Sequence, residues 1–315
     1  MPKPPALPCE FCPARLKTGK TRACAAVNPG SRIVLKVSSE YAVDDAALKT
    51  IAETVKEELH DKDAHVVVIL GGALNAGAGI TKSLIATDSK RERILHDYQD
   101  ALELIEKGGP RRKKEGGLLE DHHVRAYWSV YRKGQPVVFN KMQHALDEHG
   151  GGLKAELIKI ADPQHPNTEE QATNTFKKIN RTLERRSAEG TILVGNGLPL
   201  GDNDPIAQEV GRHINADFVI YLSRGEPGVM ARPGGMQYQF IEGALPVATR
   251  FGKKSGTVGG PGSKAEIAIE YSAERPTIQC KIEGLRQAIR GLHNLKTGSV
   301  YCIDRVRRQA TPRKL

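Results

Sequence analysis

Two lysines stand where an ammonium group could meet a phosphate. Lys36 sits in the apolar run Ile33-Val34-Leu35-Lys36-Val37, just before Ser38-Ser39. A lysine in a buried strand needs an outlet for its charge, and the edge at the strand's carboxyl end provides one. Lys264 follows Gly256-Thr257-Val258-Gly259-Gly260-Pro261-Gly262-Ser263, at the start of a helical pattern. A cation is unfavourable at the positive end of a helix unless an anion shares the place. Two lysines converging on phosphates would supply the charge neutralisation on which phosphoryl transfer depends. Without a ligand, either is a surface lysine with its stem laid over apolar neighbours.

Gly201-Asp202-Asn203-Asp204 is the third candidate. Short polar side chains at a helix entry can cap it, and composition alone favours that role. The same side chains can also hold an amine, a hydroxyl or hydrated Mg²⁺.

The elements that must position these residues open as β-α-β. After the Lys36 strand, Asp44 and Asp45 start a helix with Ala47, Leu48, Ile51, Val55 and Leu59 at three- and four-residue steps. His65-Val66-Val67-Val68-Ile69-Leu70 is a second strand and ends in Gly71-Gly72. Residues 83–119 are charged and helix-like, interrupted by an exposed basic loop over 107–117 that contains Arg111, Arg112, Lys113 and Lys114. Helices are expected over 124–131 and 142–149, then a strand at 157–160. A long polar helix over 169–189 sets Phe176, Ile179 and Leu183 on one face. The early grammar then repeats: strand 191–194, helix 204–214, and strand 217–222 running into Ser223-Arg224. Helices at 263–271 and 285–292 and strands at 277–280 and 299–303 complete the pattern.

The strands are apolar throughout rather than alternating, which predicts a parallel sheet covered on both faces, an α/β protein. Ligands of such sheets bind outside the carboxyl ends of the strands. Glycines gather there, at 71–77, 195–201 and 256–262. Glycine lets backbone N–H groups come close to phosphates, and a helix start adds partial positive charge.

The 315 residues allow one large domain or two ordinary ones. No stretch reaches the ~18 apolar residues of a membrane span. Five cysteines, scattered at 9, 12, 24, 280 and 302, do not make a disulfide scaffold. Cys9 and Cys12 have the spacing of half a zinc site, and Cys24 could add a third thiolate, but no fourth ligand follows at usable spacing. No metal centre is expected. His122-His123 points in two directions on a helix and reads as surface. Residues 1–31 read as a basic extension broken by prolines at 2, 4, 5, 8 and 13, and 304–315 as a basic tail, flanking a domain over 32–303. The extension lacks the apolar core of a secretory signal, so a cytoplasmic or organellar site, including the mitochondrion, is expected.

The order of these motifs resembles the amino acid kinase superfamily over residues 32–303. The segment from Ile33 to Ser39 is similar to that family's opening lysine strand, and VVILGGALNAG at 67–77 to its second glycine loop. GDND at 201–204, Ala216-Asp217 with its strand, and the segment from Asn174-Thr175 to Leu183 resemble glutamate 5-kinase. The ending from Leu285 to Ser299 is nearly as similar to carbamate kinase. The resemblance implies a three-layer αβα sandwich with a mostly parallel sheet. It implies ATP-dependent, Mg²⁺-assisted phosphorylation of a carboxylate, carbamate or phosphate oxygen, with a glutamate 5-kinase-like carboxylate acceptor foremost. Carried over by position, Lys36 and Lys264 would be catalytic. Gly71, Gly72, Ser223, Gly259 and Gly260 would bind the nucleotide and its phosphates. Asp202, Asn203 and Asp204 would bind a small acidic substrate.

The chain also departs from that pattern. Val37-Ser38 stands where glycine is usual after the lysine, and Gly71 where a serine is usual. The acid-rich segment before GDND is shortened to 194–200, Ser223-Arg224 replaces a Thr-Asp pair, and Pro261 interrupts the lysine loop. The alternative expectation is therefore a catalytically degenerate member serving as a structural or RNA-associated subunit of a larger assembly. The net charge of +10, placed largely in the tails and at 111–114, supports that reading. So do Tyr127, Trp128 and Tyr131 among Arg125, Arg132 and Lys133, where bases could stack. The plainer reading of those aromatics is an amphipathic helix.

Overall fold

A computed structural model describes residues 27–87, 121–159, 168–196, 203–224, 240–242, 277–290 and 298–302. Its centre is β1 (Arg32–Val37), whose apolar side chains are buried on both faces. On one side β1 pairs in parallel with β2 (His65–Leu70), and on the other with β5 (Phe218–Leu222). With β3 (Lys154–Lys159), β4 (Thr191–Asn196), β6 (Phe240–Glu242), β7 (Thr277–Cys280) and β8 (Gly298–Cys302), the order is β3-β4-β2-β1-β5-β7-β8-β6. The pairs from β3 to β7 are all parallel. The closing strand β8 runs antiparallel to β7 and parallel to β6. The mostly parallel sheet is thus as expected; the three-residue β6 was not anticipated.

Alternation along β1 divides the core in two. Ile33, Leu35 and Val37 face α1 (Asp45–Thr54), α2 (Ala73–Thr87), α3 (Asp121–His149) and α6 (Leu285–Ile289). Val34 and Lys36 face α4 (Thr168–Ala188) and α5 (Asn203–His213). Two helical layers enclose one sheet, which makes the three-layer αβα arrangement. Asp44 caps α1 by accepting from the N–H groups of Ala46 and Ala47 at 3.1 and 3.2 Å.

Three local expectations are corrected. Residues 124–131 and 142–149 are not separate helices but parts of one 29-residue helix, with Pro136 inside it. Proline removes one internal hydrogen bond, yet Val130, Val138 and Met142 remain fully buried along the same helix. The glycines at 71–77 do not form one loop, because α2 begins at Ala73 and contains Gly77 and Gly79. A Cβ at Gly77 would overlap the Val130 carbonyl, and one at Gly134 would overlap that of Ala73. Glycine is needed there because α2 and α3 touch backbone to backbone. Finally, contacts begin before Arg32: Gly30 donates its N–H to Asp63 C=O at 2.7 Å.

The two described rings of the aromatic trio pack against each other and the core. Tyr131 is buried, and Trp128 packs edge-on against it with ring centroids 5.7 Å apart. The side chain of Tyr127 lies outside the described set, as do residues 1–26, 107–117 and 304–315.

Candidate functional site

The chain order reverses around β1. The strands before β5 fill one side of it, and β5 and those after it fill the other. That reversal makes the carboxyl edge of β2, β1 and β5 the natural ligand crevice of the sheet. Its strand ends are laced together by backbone bonds. Ser38 N–H donates to Leu222 C=O at 3.1 Å, Gly71 N–H to Val37 C=O at 2.9 Å, and Ser223 N–H to Cys280 C=O at 3.0 Å.

These bonds change what the glycines do. The N–H of Gly71 is spent on the strand beside it. A Cβ there would stand 2.8 Å from Ser39 N, and one at Gly72 would stand 3.0 Å from Ser39 O. Gly72 also has φ +86°, in the left-handed region that favours glycine. The pair lets the β2 turn lie directly on the β1 turn and aims α2, N-terminus first, at the carboxyl edge.

Lys36 is 6% exposed, on the face covered by α5. Its ammonium forms an ion pair with Asp204, in the first turn of α5, whose side chain is fully buried. The helix start favours the carboxylate, and the carboxylate orients the lysine. Behind this pair, Tyr221 Oη donates to the Asp204 carbonyl at 3.0 Å. Gln208 Nε2 donates to Tyr221 Oη at 2.9 Å and to Thr277 Oγ1 at 2.8 Å. All of these residues are buried. The network fixes the start of α5 against β5 and β7, and hence the Asp204 carboxylate against Lys36.

Ser38 follows on the same face as Lys36, one step nearer the carboxyl edge. It is 5% exposed, and its hydroxyl has no hydrogen-bond partner among the described residues. A buried hydroxyl without a partner is costly and calls for an explanation. A phosphate oxygen placed beside Lys36 would supply one.

Arg224 turns away from this site. It pairs with Asp44 at 2.5 Å and lies over the Tyr41 ring, 5.7 Å from its centroid. Tyr41 belongs to the core on the α1 side, so Arg224 is held on the sheet face opposite Lys36. Burial pushes the Tyr41 hydroxyl up from its ordinary range, and that hydroxyl accepts from Ile282 N–H at 3.3 Å. Cys280 is buried, and burial raises its thiol to about 12, which makes it inert.

The structure therefore brings together Lys36, Gly71, Gly72, Ser223 and Asp204 from the sequence candidates. Asn203 opens α5, but its side chain lies outside the described set. Asp202, Gly259, Gly260 and Lys264 lie outside the described residues, with Cys9, Cys12 and Cys24. Sequence reasoning missed the Lys36–Asp204 pairing, the unpartnered Ser38 hydroxyl and the Tyr221–Gln208–Thr277 network. A glutamine on the apolar stripe of a helix, facing a tyrosine in an all-apolar strand, was the available signal for that network. No group of three metal-ligating side chains occurs among the described residues. No described helix is long and apolar enough to cross a membrane.

No protein-family model matches the chain, and no curated protein does. Solved structures do. Giardia carbamate kinase aligns with a TM-score of 0.53 at 12% identity, over 87% of this chain and 99% of that one. Carbamate kinase from Giardia lamblia bound to AMP-PNP gives 0.51 at 13% identity, over 87% and 99%. N-acetylglutamate synthase from Neisseria gonorrhoeae, complexed with coenzyme A and L-arginine, gives 0.52 at 11% identity, over 87% of this chain and 62% of that one. At these identities the likeness is one of architecture: the chain has the amino acid kinase fold.

Proposed function

We propose that this chain is an ATP-dependent phosphotransferase acting on a small acidic acceptor, with a carboxylate of the glutamate type foremost. One observation carries the reading. A buried lysine, oriented by a buried aspartate, stands beside a buried hydroxyl that has no hydrogen-bond partner among the described residues, at the carboxyl edge of the central strand. Phosphoryl transfer asks the protein mainly for positioning and charge neutralisation. Lys36 supplies the charge. Asp204 holds the ammonium in one place, so little reorganisation accompanies the reaction. Ser38 Oγ donates to a phosphate oxygen and is satisfied in doing so. The start of α2 faces the same edge and adds partial positive charge.

In this scheme ATP supplies the phosphoryl group, and its Mg²⁺ rides on the phosphates, as that ion commonly does. Lys264, with Gly259 and Gly260, would bind the nucleotide and its phosphates. Asp202 and Asn203 would face the acceptor. Asp204 would act through Lys36 rather than on the substrate. Arg224, held on the other face by Asp44 and Tyr41, is directed away from Lys36, which favours this reading over a degenerate one.

Calorimetry with AMP-PNP and Mg²⁺, followed by coupled assay of ADP release with glutamate, carbamate and UMP, tests the proposal. Saturable nucleotide binding and acceptor-dependent ADP release are expected. Both should vanish in a folded Lys36→Met/Asp204→Asn variant. No binding at millimolar nucleotide would end the proposal.

A further inference from the structure

A phosphate site needs only a few cations, and the chain carries a net charge of +10. Part of the surplus lies on α4. Phe176, Ile179 and Leu183 turn inward to the sheet. The exposed residues from 174 to 185 are Asn174, Lys177, Lys178, Arg181, Glu184 and Arg185. Lys177, Arg181 and Arg185 follow at four-residue steps, so they stand about 6 Å apart in a stripe about 12 Å long.

Two exposed cations on other helices are paired with acids three or four residues away, Lys49 with Glu53 and Arg212 with Glu209. On α4, Lys177, Lys178 and Arg181 have no ion pair among the described residues. Arg185 reaches Glu189 at 4.0 Å, and Glu189 is already engaged by Arg186 at 2.9 Å. The one exposed acid in the stripe, Glu184, is drawn off by Arg32 from β1. Like charges four apart on a helix repel, so Lys177/Arg181 and Arg181/Arg185 weaken the helix that carries them. An anion laid along the stripe would reverse that cost.

We propose that the outer face of α4 binds the phosphodiester backbone of single-stranded nucleic acid without reading its bases. The exposed stripe from 174 to 185 has no aromatic side chain to stack a base and no apolar one to enter a bilayer or anchor a protein partner. Regularly spaced charge is what remains, and a phosphate chain is the ligand whose own charge repeats. The proposal is independent of the phosphotransferase reading.

The test uses the full chain and fluorescence polarisation with labelled 20-mers of oligouridine and oligodeoxythymidine across a salt series. The variant is Lys177→Gln/Lys178→Gln/Arg181→Gln/Arg185→Gln, which touches only exposed positions and should melt no lower than the parent. Its affinity should fall at least about 100-fold at 100 mM salt. The slope of log affinity against log salt should flatten by about 2.8, at roughly 0.7 per neutralised phosphate. A charge-matched variant, Lys3→Gln/Arg15→Gln/Lys17→Gln/Lys20→Gln, should keep the slope within about 1 of the parent. The reverse pattern between the two variants would overturn the assignment. So would a tenfold preference between the two oligomers. Binding to phosphatidylserine vesicles that α4 substitution abolishes, with oligomer binding intact, would assign the stripe to membranes and refute the proposal.

Discussion

The Lys36–Asp204 pair allows stability and function to be separated in one experiment. The Asp204 side chain is fully buried and that of Lys36 is 7% exposed, so both charges sit out of water. Removing either one breaks the buried pair, at a cost of about 3–5 kcal/mol. Lys36→Met and Asp204→Asn should each destabilise the fold by that amount. The double variant leaves no buried charge, and the introduced asparagine keeps nearly the volume of the aspartate it replaces. It should cost no more than either single change, which means a coupling of at least about 3 kcal/mol in the cycle. Urea unfolding provides the assay, followed by far-UV circular dichroism and by the fluorescence of Trp128, the one tryptophan in the chain. The double variant is then a folded protein without its phosphate-site cation, and it should neither bind AMP-PNP nor release ADP. Additive destabilisation would show that the two side chains do not share one buried environment, and the argument that Asp204 positions Lys36 would fail.

Other expectations follow from single positions. Ser38→Ala removes a buried hydroxyl with no hydrogen-bond partner among the described residues, so it should stabilise the ligand-free protein by about 1 kcal/mol in urea titration while weakening AMP-PNP binding about tenfold. Gly77→Ala drives a methyl group into the Val130 carbonyl and should cost about 3 kcal/mol or more, whereas Gly79→Ala on the same helix meets nothing and should gain up to about 1 kcal/mol. Glu58 is held at about 2, chiefly by its hydrogen bond to Arg290 and then by Lys62, against an ordinary value of 4.5. Its folded value is depressed, so its contribution is complete above pH 4.5 and is lost as pH falls toward 2. Glu58→Gln should lower stability at neutral pH and flatten that acid limb in thermal melts.

The sheet was legible because its central strands β1, β2 and β5 are dominated by β-branched and other apolar residues, which suit a sheet buried on both faces. The site was half legible. Lys36 announced itself as a cation in an apolar strand, but its partner lies 168 positions along the chain, and only the packing of α5 on β1 joins them. Asp204 looked like a cap because local sequence cannot show which strand lies beneath a helix start. Gly134 and Pro136 lie in the gap between the two helices expected over 124–131 and 142–149, a gap that tertiary packing closes. Both residues are local signs of irregularity, yet Gly134 is there to admit the α2 backbone, and the buried residues on either side of Pro136 carry the helix across it. Ser38 could be seen as an oddity in its motif, but whether its hydroxyl had a partner was a matter of tertiary structure alone.

The central place of β1 has a consequence for how the chain is made. Its amino end bonds to Asp217, 185 residues later, and its free edge pairs with β5, which follows that residue. During synthesis at roughly 5–20 residues per second, that edge emerges on the order of 10–40 s before its partner. Until then a strand that is apolar apart from Arg32 and Lys36 shows an unpaired row of N–H and C=O groups, a ready template for the wrong chain. Half-made copies are therefore the form of this protein most in need of a holding chaperone, and chains stopped before Phe218 should be recovered with one rather than as free monomers.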